Sequence, residues 1–273
     1  MKLNAMIAPS TAAAMGLHRA LMLVQARRLA GSSHPRAGAI ASALRAAALN
    51  RLPPEERELV ERVEWRRAEI PFEMAAAELR EHEAAATHAE RLAQAWHLVR
   101  WVSIPPVWGT FLARLVAETA PRSCLELGTG LGLSAAYEAG ALELRGEGRL
   151  VTMDFHEAAR VAESGFAGLG IAGRVELRFG DIDETLPGVL ERVAPVDYAM
   201  LDAEHTEEAT TRHFEAVAPH LADGAVVVLD DITATEGMRR AWRRAIAHPR
   251  VGLAVPLRRI GVLAITGPPG AGR

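Results

Sequence analysis

The chain has 273 residues, 49% of them hydrophobic and 24% charged, with a formal net charge of −3. These values are near the globular average and allow one large domain, or a domain with an extension, around a sizeable core. They give no overall basic footprint for a nucleic-acid partner and no apolar run of membrane-spanning length, and the single cysteine, Cys124, rules out disulfides within the chain and suits a reducing, cytoplasmic compartment.

The first 54 residues hold seven Lys/Arg and no Asp or Glu. An Ala- and Arg-rich, acid-free start can be an organellar transit segment or a membrane-surface helix. It lacks a secretory apolar core, and such composition is common in bacteria of high GC content, so a basic helical extension packed on this chain or a partner is the favoured reading. Ser10 or Thr11 can cap a first helix carrying Leu17, Leu21 and Val24 on one face. Gly31-Ser32-Ser33-His34-Pro35 breaks it, and a second helix is predicted over about 36–49. Pro53-Pro54-Glu55-Glu56 starts a third, with Leu59, Val63 and Ile70, which Pro71 is expected to interrupt. Helical sequence then resumes to Trp101, with Leu92, Trp96 and Val99 on one face. Residues 1–100 thus read as a helical N-terminal extension. Its apolar stripes need a partner surface, so it serves as a lid over a cofactor edge or as a homodimer interface. The tryptophans read as packing anchors, or, for Trp101 and Trp108, as parts of a substrate lid.

From about residue 122 the texture changes. Seven β-type runs fall at 122–127, 149–154, 174–179, 196–201, 225–230, 250–256 and 260–266, with helical stretches between the first six. Alternation of strand and helix implies an α/β fold with a parallel sheet covered on both faces. The last two runs are separated only by Leu257-Arg258-Arg259, too short for a parallel crossover, so they should form an antiparallel hairpin. Residues 267–273, rich in Gly and Pro, read as a disordered tail.

Ligand sites in open α/β sheets lie beyond the carboxyl ends of the strands. The first strand leads into Glu126-Leu127-Gly128-Thr129-Gly130-Leu131-Gly132-Leu133-Ser134. A strand, a glycine turn and a helix let backbone N–H groups approach a nucleotide-like ligand. The third glycine comes one residue earlier than in the dinucleotide fingerprint G-x-G-x-x-G. The second strand ends at Asp154, which can accept both hydroxyls of a ribose, and the third at Gly180-Asp181, where Asp181 can accept from an adenine amino group. The fourth ends at Asp202-Ala203-Glu204-His205 and the fifth at Asp230-Asp231. A single such acid could be a helix cap, but five consecutive strands ending in acids at one edge exceed what capping explains. Asp202, Asp230 and Asp231 would repel unless a cation sits among them, and hard oxygen ligands suit Mg²⁺. Salt-bridged or capping acids without a metal are the alternative. His205 can take a proton from a hydroxyl, or can be an ordinary loop residue before the helix that Thr206 caps.

On these residues, 101–266 resemble the class I S-adenosylmethionine (SAM)-dependent O-methyltransferases, particularly the metal-dependent catechol and caffeoyl-CoA type and bacterial small-molecule relatives. The resemblance implies a seven-stranded, mostly parallel Rossmann-like methyltransferase sheet with a terminal antiparallel hairpin, which plain dinucleotide-binding domains lack. It implies that the glycine turn, with Glu126, Gly128, Gly130 and Gly132, holds the methionine part of SAM. Ser134 matches the serine that holds its carboxylate, Asp154 the ribose acid, and Gly180-Asp181 the adenine position, while Ile104 lies in a segment resembling the one that touches the methionine moiety. Asp202 and Asp230 match metal-binding aspartates. Asp231 stands where the catechol enzyme has asparagine and some bacterial sugar methyltransferases have aspartate. His205 falls where the catechol enzyme has a lysine base, a departure from the pattern. The function so implied is metal-assisted O-methylation of a small-molecule hydroxyl, with SAM and Mg²⁺, the metal on Asp202 orienting the acceptor hydroxyl and lowering its pKa and His205 taking its proton. A metal-independent N- or O-methyltransferase, or a degenerate methyltransferase-fold binding protein, are the alternatives.

Overall fold

The structure, a computed structural model, describes residues 9–81, 87–156 and 159–267. Five helices precede the sheet: α1 (Pro9–Leu29), α2 (Ala37–Leu49), α3 (Pro54–Glu81), α4 (His88–Val102) and α5 (Pro106–Thr119). Pro71 does not interrupt α3, which runs through it to Glu81. Proline costs an interior helix one hydrogen bond, but Ile70 and Ala75 on either side are both 0% exposed, so packing holds the helix together. α4 begins with a capping box in which the Glu90 N–H donates to Thr87 Oγ1 at 3.2 Å and the Thr87 N–H donates to Glu90 Oε2 at 2.7 Å. α5 occupies a stretch that hydrophobic periodicity leaves unassigned. Pro105-Pro106 looks like a loop, yet proline at the first helical position is a helix start. Trp108, Phe111, Leu112 and Leu115 of α5 are fully buried.

The remainder alternates: β1 (Ser123–Leu127), α6 (Leu133–Arg145), β2 (Arg149–Asp154), α7 (Ala159–Gly168), β3 (Val175–Phe179), α8 (Ile182–Val193), β4 (Val196–Leu201), α9 (Glu207–Val217), β5 (Leu221–Leu229), α10 (Glu236–Ile246), β6 (Val251–Leu257) and β7 (Ile260–Ile265). The strands form one sheet of order β3-β2-β1-β4-β5-β7-β6. β3 to β5 are parallel, and β7 runs antiparallel between β5 and β6. Of the tail expected to be disordered, residues 268–273 lie outside the described residues. Among the described residues no helix is long and apolar enough to cross a membrane.

Successive side chains of a strand face opposite sides of a sheet, and the two apolar clusters follow that alternation. Tyr198, Met200, Val226 and Val228 belong to one, Ala199, Leu201, Val227 and Leu229 to the other. The second cluster is closed by α8, α9 and α10, through residues such as Leu186, Phe214 and Ala245. The first is shared with the N-terminal helices: Ile40 and Leu44 of α2, Val63 of α3 and Trp108 of α5 are in it. Polar ties reinforce the layer. Gln25 donates to the Pro256 carbonyl at 3.0 Å, and Arg36 Nε donates to the Gly224 carbonyl at 2.6 Å. Arg67 Nη2 donates to the Ile104 carbonyl at 2.8 Å, linking α3 to the segment that enters α5.

Removing residues 1–100 would uncover the faces of α5 and α6, where each large apolar side chain returned to water costs about 1.5–3 kcal/mol. The fragment is expected to aggregate on size-exclusion chromatography. A soluble monomer with the full chain's melting temperature would contradict this.

Candidate active site at the carboxyl edge of the sheet

A cavity of about 460 Å³ lies beyond the ends of β1, β2 and β4, against the loop after β5 and the β6–β7 turn. Its floor is the glycine turn. Gly128, Gly130 and Gly132 have φ of 99°, 52° and 77°, a left-handed backbone that favours glycine. A Cβ on Gly128 would stand 2.2 Å from the Asp202 carbonyl oxygen, and one on Gly132 2.4 Å from Ala162 Cβ. At Gly130 a Cβ would meet nothing within 4 Å, so this glycine leaves its space to the cavity. α6 starts immediately behind, with Ser134 on the cavity wall, and a helix N-terminus is a ready site for a carboxylate.

Asp154 ties the turn to β2. Its Oδ2 accepts from the Gly130 N–H at 2.7 Å and its Oδ1 from the His156 N–H at 2.8 Å. Each carboxylate oxygen keeps a further lone pair for a ligand hydroxyl. Phe155, next in sequence and 49% exposed, offers an aromatic surface on the same wall. Ile104 and Trp101 close the opposite side. Trp101 is 71% exposed whereas Trp108 is fully buried, so of the two lid candidates Trp108 is a core anchor.

Four of the expected site residues do not line the cavity. Glu126 is fully buried beneath the turn, where it accepts from Thr152 Oγ1 at 2.5 Å, and Thr152 in turn meets Thr129 Oγ1 at 2.6 Å. It therefore props the turn from below. Burial pushes its carboxyl up to about 7, against hydrogen bonds from Ser134 and Thr152 and with the Asp154 charge. Gly132 packs against α7. Asp181 caps α8, accepting from the Glu184 N–H at 3.2 Å, and the neighbouring Ile182 stands on the wall instead. Asp230 is fully buried.

Asp202, His205 and Asp231 do converge on the cavity. His205 Nε2 is 3.5 Å from Asp202 Oδ1, and His205 Nδ1 is 4.0 Å from Asp231 Oδ2. Glu204, His205 and Asp231 all have positive φ (61°, 40° and 51°). Strained backbone of this kind in non-glycine residues clusters at functional sites. Burial, and then the charge of Asp230, push the Asp202 carboxyl well above the usual carboxylate range, and Asp231 shifts upward for the same reasons.

Arg259, which residue spacing alone does not bring here, completes the site. Its Nε donates to Asp230 Oδ1 at 3.0 Å and Oδ2 at 3.2 Å, and its Nη2 donates to Oδ2 at 2.7 Å. Its Nε also lies 3.6 Å from Asp231 Oδ1. The signal lies in the topology. β7 runs antiparallel with Leu229 opposite Gly261, so the turn before β7 returns to the edge where β5 ends. The Mg²⁺ expected on Asp202, Asp230 and Asp231 does not fit the side chains as placed, because the positively charged guanidinium of Arg259 already stands against both oxygens of Asp230 and beside Asp231, where it would repel a second cation. Among the described residues, the histidine–carboxylate group with donor atoms within 4.8 Å of one another is a different one, Asp183, Glu204 and His213. There too an arginine intervenes, with Arg212 Nη2 2.6 Å from Asp183 Oδ2.

Comparison with known proteins agrees with this architecture. Residues 125–232 match the family described as a methyltransferase domain. A catechol O-methyltransferase of Niastella koreensis is 30% identical over 133 residues, 48% of this chain and 58% of that protein. The chain spans less than two thirds of the length of the curated relatives it matches. The O-methyltransferase TomG of Streptomyces achromogenes, solved in complex with SAM, is 26% identical with a TM-score of 0.53, over 61% of this chain and 82% of TomG. An O-methyltransferase of Bacillus cereus in complex with S-adenosylhomocysteine shares the fold, at 24% identity and a TM-score of 0.53, over 68% of this chain and 93% of that one. The sheet with its terminal hairpin is that of the Rossmann-like methyltransferases.

Two outcomes are expected from this geometry. Gly128→Ala puts a Cβ 2.2 Å from the Asp202 carbonyl oxygen at a left-handed φ, so it should lower stability by more than about 1 kcal/mol; a wild-type melting temperature would contradict the close approach. Separately, Glu126 holds a proton in the folded chain that the unfolded chain releases near 4.5, so its contribution to stability is present below that pH and lost as pH rises through about 7. Glu126→Gln should therefore flatten the fall in melting temperature between about pH 5 and 8; an unchanged slope would show that Glu126 is not its source.

Proposed function

We propose that this chain is a SAM-dependent O-methyltransferase acting on a hydroxyl of a small molecule. The observation that carries the proposal is the pairing of the glycine turn with Asp154 on one side of the cavity and His205, Asp202 and Asp231 on the other. The first set suits the amino-acid and ribose parts of SAM, and the second a hydroxyl acceptor. SAM supplies an electrophilic methyl group on its sulfonium. The acceptor oxygen forms a bond to that carbon as the carbon–sulfur bond breaks, and S-adenosylhomocysteine leaves. His205 takes the hydroxyl proton, and the resulting imidazolium would stand between Asp202 and Asp231. Holding the two reactants in line supplies much of the acceleration.

Residues 1–100 buttress this pocket in the proposal, since Arg67 of α3 holds the Ile104 carbonyl and α4 runs on to Trp101 and Val102 on the cavity wall. Metal assistance stays out of the mechanism because Asp230 is committed to Arg259. Chelation therefore separates this reading from a metal-assisted one.

The test is incubation with SAM and a panel of phenols and catechols, with S-adenosylhomocysteine and methylated product detected by mass spectrometry. Turnover is expected to persist in excess EDTA. Asp154→Ala should weaken S-adenosylhomocysteine binding at least about tenfold. His205→Ala should lower kcat about a hundredfold or more with cofactor affinity unchanged. No binding of S-adenosylhomocysteine, or a preference for a nicotinamide dinucleotide, would refute the proposal.

A further inference from the structure

Three carboxylates at one sheet edge need a positive partner, and this chain supplies one covalently. Asp230 has a 1% exposed side chain, and a buried carboxylate without a partner is strongly destabilising. Arg259 grips it with two nitrogens, in the fork geometry that suits a carboxylate. Burial works against the charge on Arg259, but Asp230 and then Asp231 overcome it and hold the guanidinium protonated. The arginine is clamped from behind: the Ile232 N–H donates to the Arg259 carbonyl at 2.9 Å, and Thr233 Oγ1 donates to the Arg258 carbonyl at 2.7 Å. The loop carrying Asp231 and the turn carrying Arg259 are therefore one unit. Arg259 also lines the cavity, and its Nη1 makes no hydrogen bond among the described residues.

We infer that Arg259 is the resident cation of this site, occupying the position a divalent metal would take among Asp202, Asp230 and Asp231, and that its spare donors serve the acceptor oxygen. The inference deepens the methyltransferase proposal and rests on it for the identity of the acceptor. A guanidinium donates hydrogen bonds and offers no coordination positions, so recognition of the acceptor does not require the chelating pair of oxygens that a metal would hold.

The test is a Mn²⁺ titration of the full-length protein followed by electron paramagnetic resonance, with and without S-adenosylhomocysteine. The wild type is expected to bind no Mn²⁺ in a manner that depends on Asp230; binding that persists in Asp230→Asn belongs to another group and counts as exclusion from this site. Arg259→Ser frees Asp230 and Asp231, removes the positive charge beside Asp202, and should raise Mn²⁺ affinity at least about tenfold, whereas Arg259→Lys, which keeps a positive charge, should not. Wild-type Mn²⁺ binding that Asp230→Asn abolishes would overturn the inference. So would an Arg259→Ser protein that still binds S-adenosylhomocysteine but takes up no more Mn²⁺ than the wild type. If Arg259→Ser does not fold, the wild-type titration and Arg259→Lys still decide the matter. Failure of S-adenosylhomocysteine to bind the wild type refutes the methyltransferase proposal and leaves the Mn²⁺ result to be judged separately.

Discussion

Negative charge cannot be gathered at one edge of a sheet without something to offset it, and much of this site is organised by that requirement. β1 carries a glutamate near its carboxyl end, and β2 to β5 end in or lead into aspartates. Each acid is handled differently. Glu126 is buried with a hydroxyl donor and shifted toward its neutral form. Asp154 is held by two backbone N–H groups, which restrain it without adding a full charge. Asp181 caps the positive end of α8. Asp230 takes a guanidinium. Asp202 and Asp231 are left facing the cavity beside His205, so the groups least offset by partners are those open to a ligand.

The parallel strands and the hairpin were legible in the sequence because their apolar runs are short, bounded by turns and separated by distances that permit only one connection type. β2 and β4 begin and end where that pattern puts them. Pro71 and α5 were not, because both depend on tertiary packing. A proline survives inside α3 when apolar neighbours on both sides are buried, and Pro105-Pro106 is a loop or a helix start according to whether the residues after it find a core to pack against. Among the candidate site residues, Asp154, Ser134, Asp202 and His205 sit where strand ends and a helix start must place them. Glu126 and Asp181 have the right position along the chain but point to other tasks, since an acid at a strand end can face the ligand, the core or the next helix. Arg259 lies far from the aspartates in sequence, and only the antiparallel return of β7 beside β5 brings it back.

The helical layer belongs to this account as well. α3 adds polar contacts around the site to its apolar packing: Arg67 on the Ile104 carbonyl, and Glu64, which accepts from the Tyr137 hydroxyl on α6. Tyr137 in turn packs where Gly109 of α5 has no side chain; a Cβ there would lie 2.1 Å from its ring. Ile104 on the cavity wall is thus fixed between α3 and α5, and α6, whose start forms the floor, is held from the other side by the same helices. The helical layer thus supports the segment carrying Ile104 on the cavity wall and the helix whose start lies at its floor.

A resident guanidinium and a bound metal are not equivalent solutions to the charge problem. A divalent cation coordinates an oxygen directly and can lower the pKa of a bound hydroxyl by many units. A guanidinium offers one positive charge and directional hydrogen bonds, so it stabilises a developing oxyanion far less before the methyl group moves. More of the work then falls on proton removal during transfer, and a base is needed within reach of the same oxygen. In the proposed mechanism that role falls to His205, which stands near two carboxylates on a backbone of positive φ. If Arg259 stands in for a metal as inferred, a histidine base belongs to the same arrangement. The tight turn between β6 and β7 carries the first and the loop after β4 carries the second, and the register of β5 against both β4 and β7 keeps them in the same cavity.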